Sequence, residues 1–148
     1  MNLMFRHYLP EDFDAVTMLW RRAREIALPE LQRTKGHTFE EDRAHFRDVI
    51  LLHNQVWVAE VDGSVVGFIA IDGSLIDQLF VAPEFQHRGI GQALLAHARS
   101  LSPTFLRLYT LQINTRARAF YEKNGFRAFK FGVSPPPENE PDVEYHWP

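Results

Sequence analysis

The sequence predicts a single α+β domain: a mixed, mostly antiparallel sheet of about seven strands with about four helices. Three observations carry this. The chain has 148 residues, the length of one domain able to bury its own core. Apolar residues in its first third recur with helical spacing. Further along, two Asp-Gly pairs separate three apolar runs, which is the mark of a hairpin meander.

Taken in order, residues 4–8 read as a first strand. Pro10, Glu11 and Asp12 open a helix, since proline and acidic side chains suit a first turn whose N–H groups lack partners. Phe13, Val16, Trp20, Ala23 and Ala27 share one face of it, and Pro29 ends it. Thr38 and Glu41 have the spacing of a capping box, each side chain bonding the other's amide. The helix they start is expected to bury Phe39, Phe46, Val49 and Ile50. Residues 56–61, 65–71 and 75–81 are the meander strands. A helix follows with Ile90, Leu94, Leu95, Ala98 and Leu101 on one face. Residues 105–109 form a strand and 115–124 a short helix, which Gly125 terminates. Residues 126–133 and 143–147 are the last strands, joined by a polar, proline-rich loop. The final strand is short enough for a sheet edge. There it would be covered within the monomer or pair with a second copy in a homodimer.

Composition removes several function classes. A net charge of -3 argues against a broad basic surface for nucleic acid. With no cysteine there is no disulfide, thiolate metal site or cysteine nucleophile. His37, His45 and His53 lack metal-ligand spacing with a second acid or histidine, so no metal is expected. No apolar run reaches the length of a membrane span, and no signal-peptide pattern opens the chain. A soluble cytoplasmic protein without membrane partners is the expectation.

The most informative stretch runs from Leu79 to Leu95. It reads as a buried strand, a Pro83 turn, a Gln86-x-x-Gly89-x-Gly91 loop and a helix. A helix N-terminus leaves amides unpaired and attracts anions, above all phosphate. No Gly-Lys-Ser/Thr follows, which excludes a nucleoside-triphosphate loop. The third glycine of a dinucleotide fingerprint is missing, and hairpins precede the loop rather than a parallel unit. A phosphate cradle and a tight turn that packs a helix both remain open on the loop alone.

One strand downstream stands Asn114-x-x-Ala117-x-x-Phe120-Tyr121-Glu122-x-x-Gly125-Phe126. The two segments together resemble the GNAT superfamily of acetyltransferases, which move an acyl group from acyl-coenzyme A to an amine. The resemblance implies a sheet splayed into a V, with the pantetheine arm bound to the backbone of Leu79, Phe80 and Val81 like an added strand. It places the pyrophosphate on the loop Gln86, His87, Arg88, Gly89, Ile90, Gly91 and Gln92, where the two glycines would let the backbone approach closely. Asn114, Ala117 and Phe120 would line the far side. Tyr121 takes the position of the general acid, a phenol protonated at neutral pH. Asp77, the one acid within its strand, is the candidate base. By alternation it should share an apolar face with Leu75, Leu79 and Val81. The strand before Asn114 holds Tyr109 and Thr110, where some members of the superfamily carry a glutamate.

Trp20, Arg24, His37 and Phe39 fall in the variable segment that shapes the acceptor site in this superfamily. Residues 21–48 contain seven Lys or Arg and six Asp or Glu, so no acidic excess points to a strongly cationic acceptor. The implied reaction is acetyl transfer from acetyl-coenzyme A to a primary amine of a small molecule, amino acid or peptide. The same fold would also serve a non-catalytic acyl-coenzyme A sensor.

Overall fold

The computed structural model describes residues 2–148. Its strands are β1 (Leu3–His7), β2 (Gln55–Val61), β3 (Ser64–Asp72), β4 (Leu75–Val81), β5 (Leu106–Leu111), β6 (Arg127–Val133) and β7 (Pro141–Trp147). They form one sheet in the order β1-β2-β3-β4-β5-β7-β6. Every neighbouring pair is antiparallel except β4 with β5. The expected mixed, mostly antiparallel sheet of seven strands is present.

The helices are α1 (Phe13–Ala27), α2 (Pro29–Lys35), α3 (residues 39–53), α4 (Ile90–Leu101) and α5 (Thr115–Lys123). That is one more than expected. Pro29 does end α1, but it also sits in the first turn of α2, where a missing N–H costs nothing. The capping box at α3 forms as expected: the Thr38 hydroxyl accepts from Glu41 N at 3.1 Å, and Glu41 accepts from Thr38 N at 2.8 Å. Within α3, residues Phe46–Ile50 make a π turn. The wider turn keeps Phe46 and Ile50 inward but rotates Val49 out, so the expected burial of Val49 fails. Leu101, at the last position of α4, is also exposed.

Two apolar cores sandwich the sheet. Ile69, Leu94, Leu95, Leu106, Leu108 and Tyr145 lie on the face covered by α4 and α5. Val16, Trp20, Phe46, Ile50, Val58 and Phe68 lie on the face covered by α1 and α3. This second core draws no residue from β5, β6 or β7, so that half of the face carries no helical layer. No helix among the described residues is long and apolar enough to cross a membrane.

The C-terminal strand departs from expectation. β7 pairs with β5 on one side and β6 on the other, so it is interior and β6 is the edge. The strand expected to offer itself to a second copy is therefore covered within the monomer.

At the start of α1, Arg6 grips Asp12 with two hydrogen bonds of 2.7 and 2.8 Å, and Leu9 N donates a third at 2.8 Å. Asp12 is 5% exposed. The Arg6 bonds hold its carboxyl below the ordinary range. We expect Asp12→Asn to cost about 3 kcal/mol of stability at pH 7. A depressed carboxyl stabilises the fold above its unfolded value, near ~3.9, and that contribution is lost as pH falls through the folded value. Urea unfolding should therefore show the gap between wild type and variant narrowing below about pH 4. A gap of constant size down to low pH would refute the assignment.

Candidate active site

The site is built where β4 and β5 part. They pair at only two positions, Leu75 with Arg107 and Ile76 with Leu108. Beyond that the strands diverge, and the far edge of β4 loses its partner. Ala82 N donates to Val66 O at 2.8 Å, toward β3. Backbone direction alternates along a strand, so Phe80 also turns toward β3 while Leu79 and Val81 turn into the gap. Of Leu79, Phe80 and Val81, the first and last thus turn their backbone to the gap and Phe80 turns its own to β3. Val81 O already accepts from Gln86 Nε2 at 3.2 Å, which ties the loop to the strand.

The loop then enters α4 through two left-handed residues, His87 (φ 63°) and Gly89 (φ 83°). No side chain caps the helix, so its first-turn amides face outward. Alternation of right- and left-handed residues gathers such amides into an anion-binding concavity. The two glycines serve different ends. At Gly89 the positive φ disfavours any other residue, although a Cβ there would meet open space. At Gly91 a Cβ would stand 3.0 Å from Phe120 Cζ, so this glycine admits the Phe120 ring against α4. Gly91 is thus tied to packing against Phe120, and Gly89 opens onto free space. Ile90 is buried as the first core residue of α4, and Gln92 is exposed.

Opposite the loop, Asn114 Oδ1 accepts from Ala117 N at 3.2 Å and caps α5. Arg116 reaches His87 Nε2 at 3.1 Å, joining α5 to the loop across the gap. Arg88 lies over the Phe85 ring at 5.1 Å. Arg118 is a structural residue. It donates to Tyr145 Oη at 3.1 Å, and that hydroxyl donates to Glu122 at 2.6 Å. The chain of bonds clamps α5 to β7.

That clamp sets Tyr121. Its ring sits among Phe120, Phe126 and Tyr145, with centroids 5.3 to 6.3 Å away. It is 9% exposed. Burial alone pushes its phenol well above the ordinary value. The group is a protonated donor throughout the neutral range.

Asp77 does not lie among apolar neighbours. The β3–β4 register slips there: Ala70 pairs with Gln78 and Ile71 with Ile76, leaving Asp77 as a bulge. The slip gives Ile76 the core-facing place and leaves Asp77 exposed, accepting from Asn54 Nδ2 at 2.9 Å. Simple alternation could not foresee this. Asp77 still stands at the mouth of the V, one residue past the last β4–β5 pair.

The four acceptor-side candidates form one wall. Trp20 is buried and its Nε1 donates to Gln78 at 3.3 Å. Arg24 stacks on Trp20 at 3.9 Å and binds buried Asp42 at 2.9 Å, which Arg21 also grips at 2.8 Å. Phe39 lies beneath Arg21 and Arg43. His37 is exposed, and its carbonyl accepts from Arg21 at 2.9 Å. Across from this wall, Lys35 clasps Glu140 and donates to Glu138 O at 2.9 Å, fastening the β6–β7 loop to α2.

Three further groups stand at or beside the mouth: Tyr109 and Glu144 in register at its edge, and His146 two residues back, opposite Arg107 where β4 and β5 still pair. Tyr109 pairs with Glu144, and Glu144 meets His146 Nε2 at 2.6 Å. The sequence carries a signal for the last two. Val143 and Tyr145 are apolar, so 144 and 146 must share the opposite face. No cluster of three or more His, Asp or Glu among the described residues is placed to hold a metal ion.

The family model for the acetyltransferase (GNAT) domain matches residues 53–128. The peptidyl-lysine N-acetyltransferase YiaC of Escherichia coli K12 is 32% identical over 124 residues, covering 83% of this chain and 82% of that protein. The chain belongs to the GNAT acetyltransferase family. Another relative of this GNAT acetyltransferase is the peptidyl-lysine N-acetyltransferase YjaB of Salmonella typhimurium, 31% identical over 128 residues, or 86% and 85% of the two chains. Among solved structures, apo YjaB from Escherichia coli superposes with a TM-score of 0.81 at 25% identity, covering 99% and 98%. The PaiA N-acetyltransferase of Thermoplasma acidophilum, solved with coenzyme A, gives 0.71 at 20% identity over 99% of each chain, a likeness of fold. The segment matched by the family model contains the uncapped α4 terminus and Tyr121, and this GNAT protein is an acetyltransferase enzyme.

Proposed function

We propose that the protein transfers the acetyl group of acetyl-coenzyme A to a primary amine by direct attack within a ternary complex, with a peptide lysine as the favoured acceptor. The observation that carries this is the V. It joins an unpaired β4 edge at Leu79 and Val81 to an uncapped, left-handed helix entry at His87–Gly89. An extended arm ending in a pyrophosphate fits that continuous strip of amides, the arm pairing as a strand would and the phosphates meeting the helix terminus. Two relatives named as peptidyl-lysine N-acetyltransferases favour lysine among the amines.

The donor would supply an activated thioester; the protein supplies positioning and proton control. The Val81 N–H faces the gap and would polarise the thioester carbonyl. Tyr121 would donate its proton to the departing sulfur. Arg116 and His87, already in contact across the gap, would close over the phosphates. Two carboxylates, Asp77 and Glu144, stand at the mouth on the acceptor side.

Isothermal titration with acetyl-coenzyme A, paired with a free-thiol assay across small amines, amino acids and lysine peptides, tests the proposal. We expect micromolar donor binding and amine-dependent thiol release. Absence of binding at millimolar donor would sink it, and binding without turnover on any amine would favour the sensor reading.

A further inference from the structure

The uncovered half of the sheet carries a group of titratable side chains that the cofactor strip does not use. On β5 and β7 the residues whose neighbours Leu106, Leu108, Val143 and Tyr145 point into the core must themselves point to the open face. They are Arg107, Tyr109, Glu144 and His146, with the buried Asp142 next along β7. Tyr109 is 50% exposed, and the Glu144 and His146 side chains are 17% and 19% exposed. Tyr109 is the first residue of β5 beyond the last β4–β5 pair, and Glu144 stands beside it in register. The pair is thus one strand spacing from the mouth of the V, on the face opposite α4 and its amides. His146 is held rigidly, with Phe129 stacked on its ring at 4.0 Å and Phe105 meeting it edge-on at 5.0 Å.

We propose that Glu144 and His146 act together as the proton acceptor for the incoming amine, Glu144 drawing the ammonium to the mouth of the V. This rests on the acetyltransfer reading. Lysine reaches the site as an ammonium and cannot attack until it loses a proton. The pair carries one negative charge before it takes that proton and none after. The two groups touch at 2.6 Å, so the proton can rest on either. The neutral nitrogen then bonds to the carbonyl carbon as the carbon–sulfur bond breaks. Sulfur leaves with the Tyr121 proton, and Tyr121 recovers one from the nitrogen through solvent. The pair releases its proton to water, one per turnover.

The surroundings explain why a pair is used. From β5, Arg107 and Tyr109 face it; from β6, Arg127 and Lys130 stand in register with His146 and Glu144; from β4, Asp77 lies across the mouth. The His146 hydrogen bond is the largest influence holding the Glu144 carboxyl below its ordinary range, and Tyr109 and Arg107 add to it. In this setting Glu144 holds a proton weakly, and the imidazole nitrogen 2.6 Å away is the group to which it can pass the proton on. Asp77 has no such neighbour. It is exposed and tied to the Asn54 amide.

The test compares two acceptors on wild type, Glu144→Gln, His146→Gln and Asp77→Asn. One is Nα-acetyl-lysine methylamide; the other is the same molecule fluorinated beside the amine, so that it is largely neutral at the assay pH. We expect Glu144→Gln and His146→Gln to lower kcat/KM on the lysine probe by about 100-fold, and by less than about 3-fold on the fluorinated one. Acetyl-coenzyme A affinity should stay at wild-type level, which certifies the fold. Whichever of the two pair variants keeps wild-type acetyl-coenzyme A affinity decides the matter should the other fail to fold. Equal losses on both probes would overturn the inference, because damaged packing does not distinguish amine basicity. So would a basicity-dependent loss in Asp77→Asn alone, or unchanged rates in both pair variants. A wild type that releases no thiol with either probe overturns acetyltransfer to lysine-type amines, and the proton acceptor with it.

Discussion

Tyr121→Phe is expected to lower kcat by about 100- to 1,000-fold while leaving the acetyl-coenzyme A dissociation constant within about 3-fold of wild type. The ring packs against Phe120, Phe126 and Tyr145, and Phe can occupy the same space, so the change removes a hydroxyl and little else. Burial raises the phenol's pKa, so the wild-type group stays protonated across the working range and should add no alkaline limb below about pH 10. Single-turnover thiol release and titration calorimetry on the same preparation separate the two effects. A variant with wild-type kcat would remove Tyr121 from the chemistry. One that loses donor binding in step with turnover would make it a packing residue.

The parts of this protein legible in its sequence are those set by local rules. The capping box at Thr38 and Glu41 needs only four residues, and it forms as written. The Asp62-Gly63 turn takes positive φ at both positions, as a two-residue hairpin demands. The turn into α4 is legible because glycines at a fixed spacing carry a left-handed turn with them, whereas Tyr121 is marked only by the resemblance of its segment to the superfamily. What escaped depends on pairing between distant segments. The insertion of β7 between β5 and β6 joins residues far apart in the chain, and nothing in residues 143–147 announces it. The bulge at Asp77 is a property of the β3–β4 register, so counting along β4 alone put the carboxylate on the apolar face.

The acceptor side shows the same limit in another form. The resemblance to the superfamily points to Trp20 and Arg24 as acceptor-side candidates. Both are engaged in the wall, Trp20 by Gln78 and Arg24 by Asp42. The uncovered side chains nearest the mouth come from β5 and β7, separated by more than thirty residues in sequence order and by one hydrogen-bonded ladder in space. Sequence gives their alternation; only the sheet order gives their proximity to the V.

Gly89→Glu is expected to weaken acetyl-coenzyme A binding by about 100-fold, which corresponds to about 2.8 kcal/mol. Two effects act in the same direction. The backbone at Gly89 has φ 83°, a conformation that an L-residue holds only at a cost of about 1 kcal/mol. The carboxylate would also stand at the entry to α4, where unpaired amides would otherwise meet phosphate; two like charges a few ångströms apart at intermediate dielectric repel by a few kcal/mol. A Cβ at this position meets no neighbour, so the fold should survive, and Gly89→Ala isolates the backbone term as a loss of about 5-fold. Raising ionic strength should recover part of the affinity of Gly89→Glu but not of Gly89→Ala, since salt screens charge and leaves φ alone. Gly91→Ala provides the contrast. There the added methyl presses on Phe120 rather than on a ligand, so its effect should appear in thermal stability first. If Gly89→Glu keeps wild-type affinity at low salt while Gly91→Ala does not, the phosphates lie elsewhere and the α4 terminus is only the tight turn that its glycines also allow.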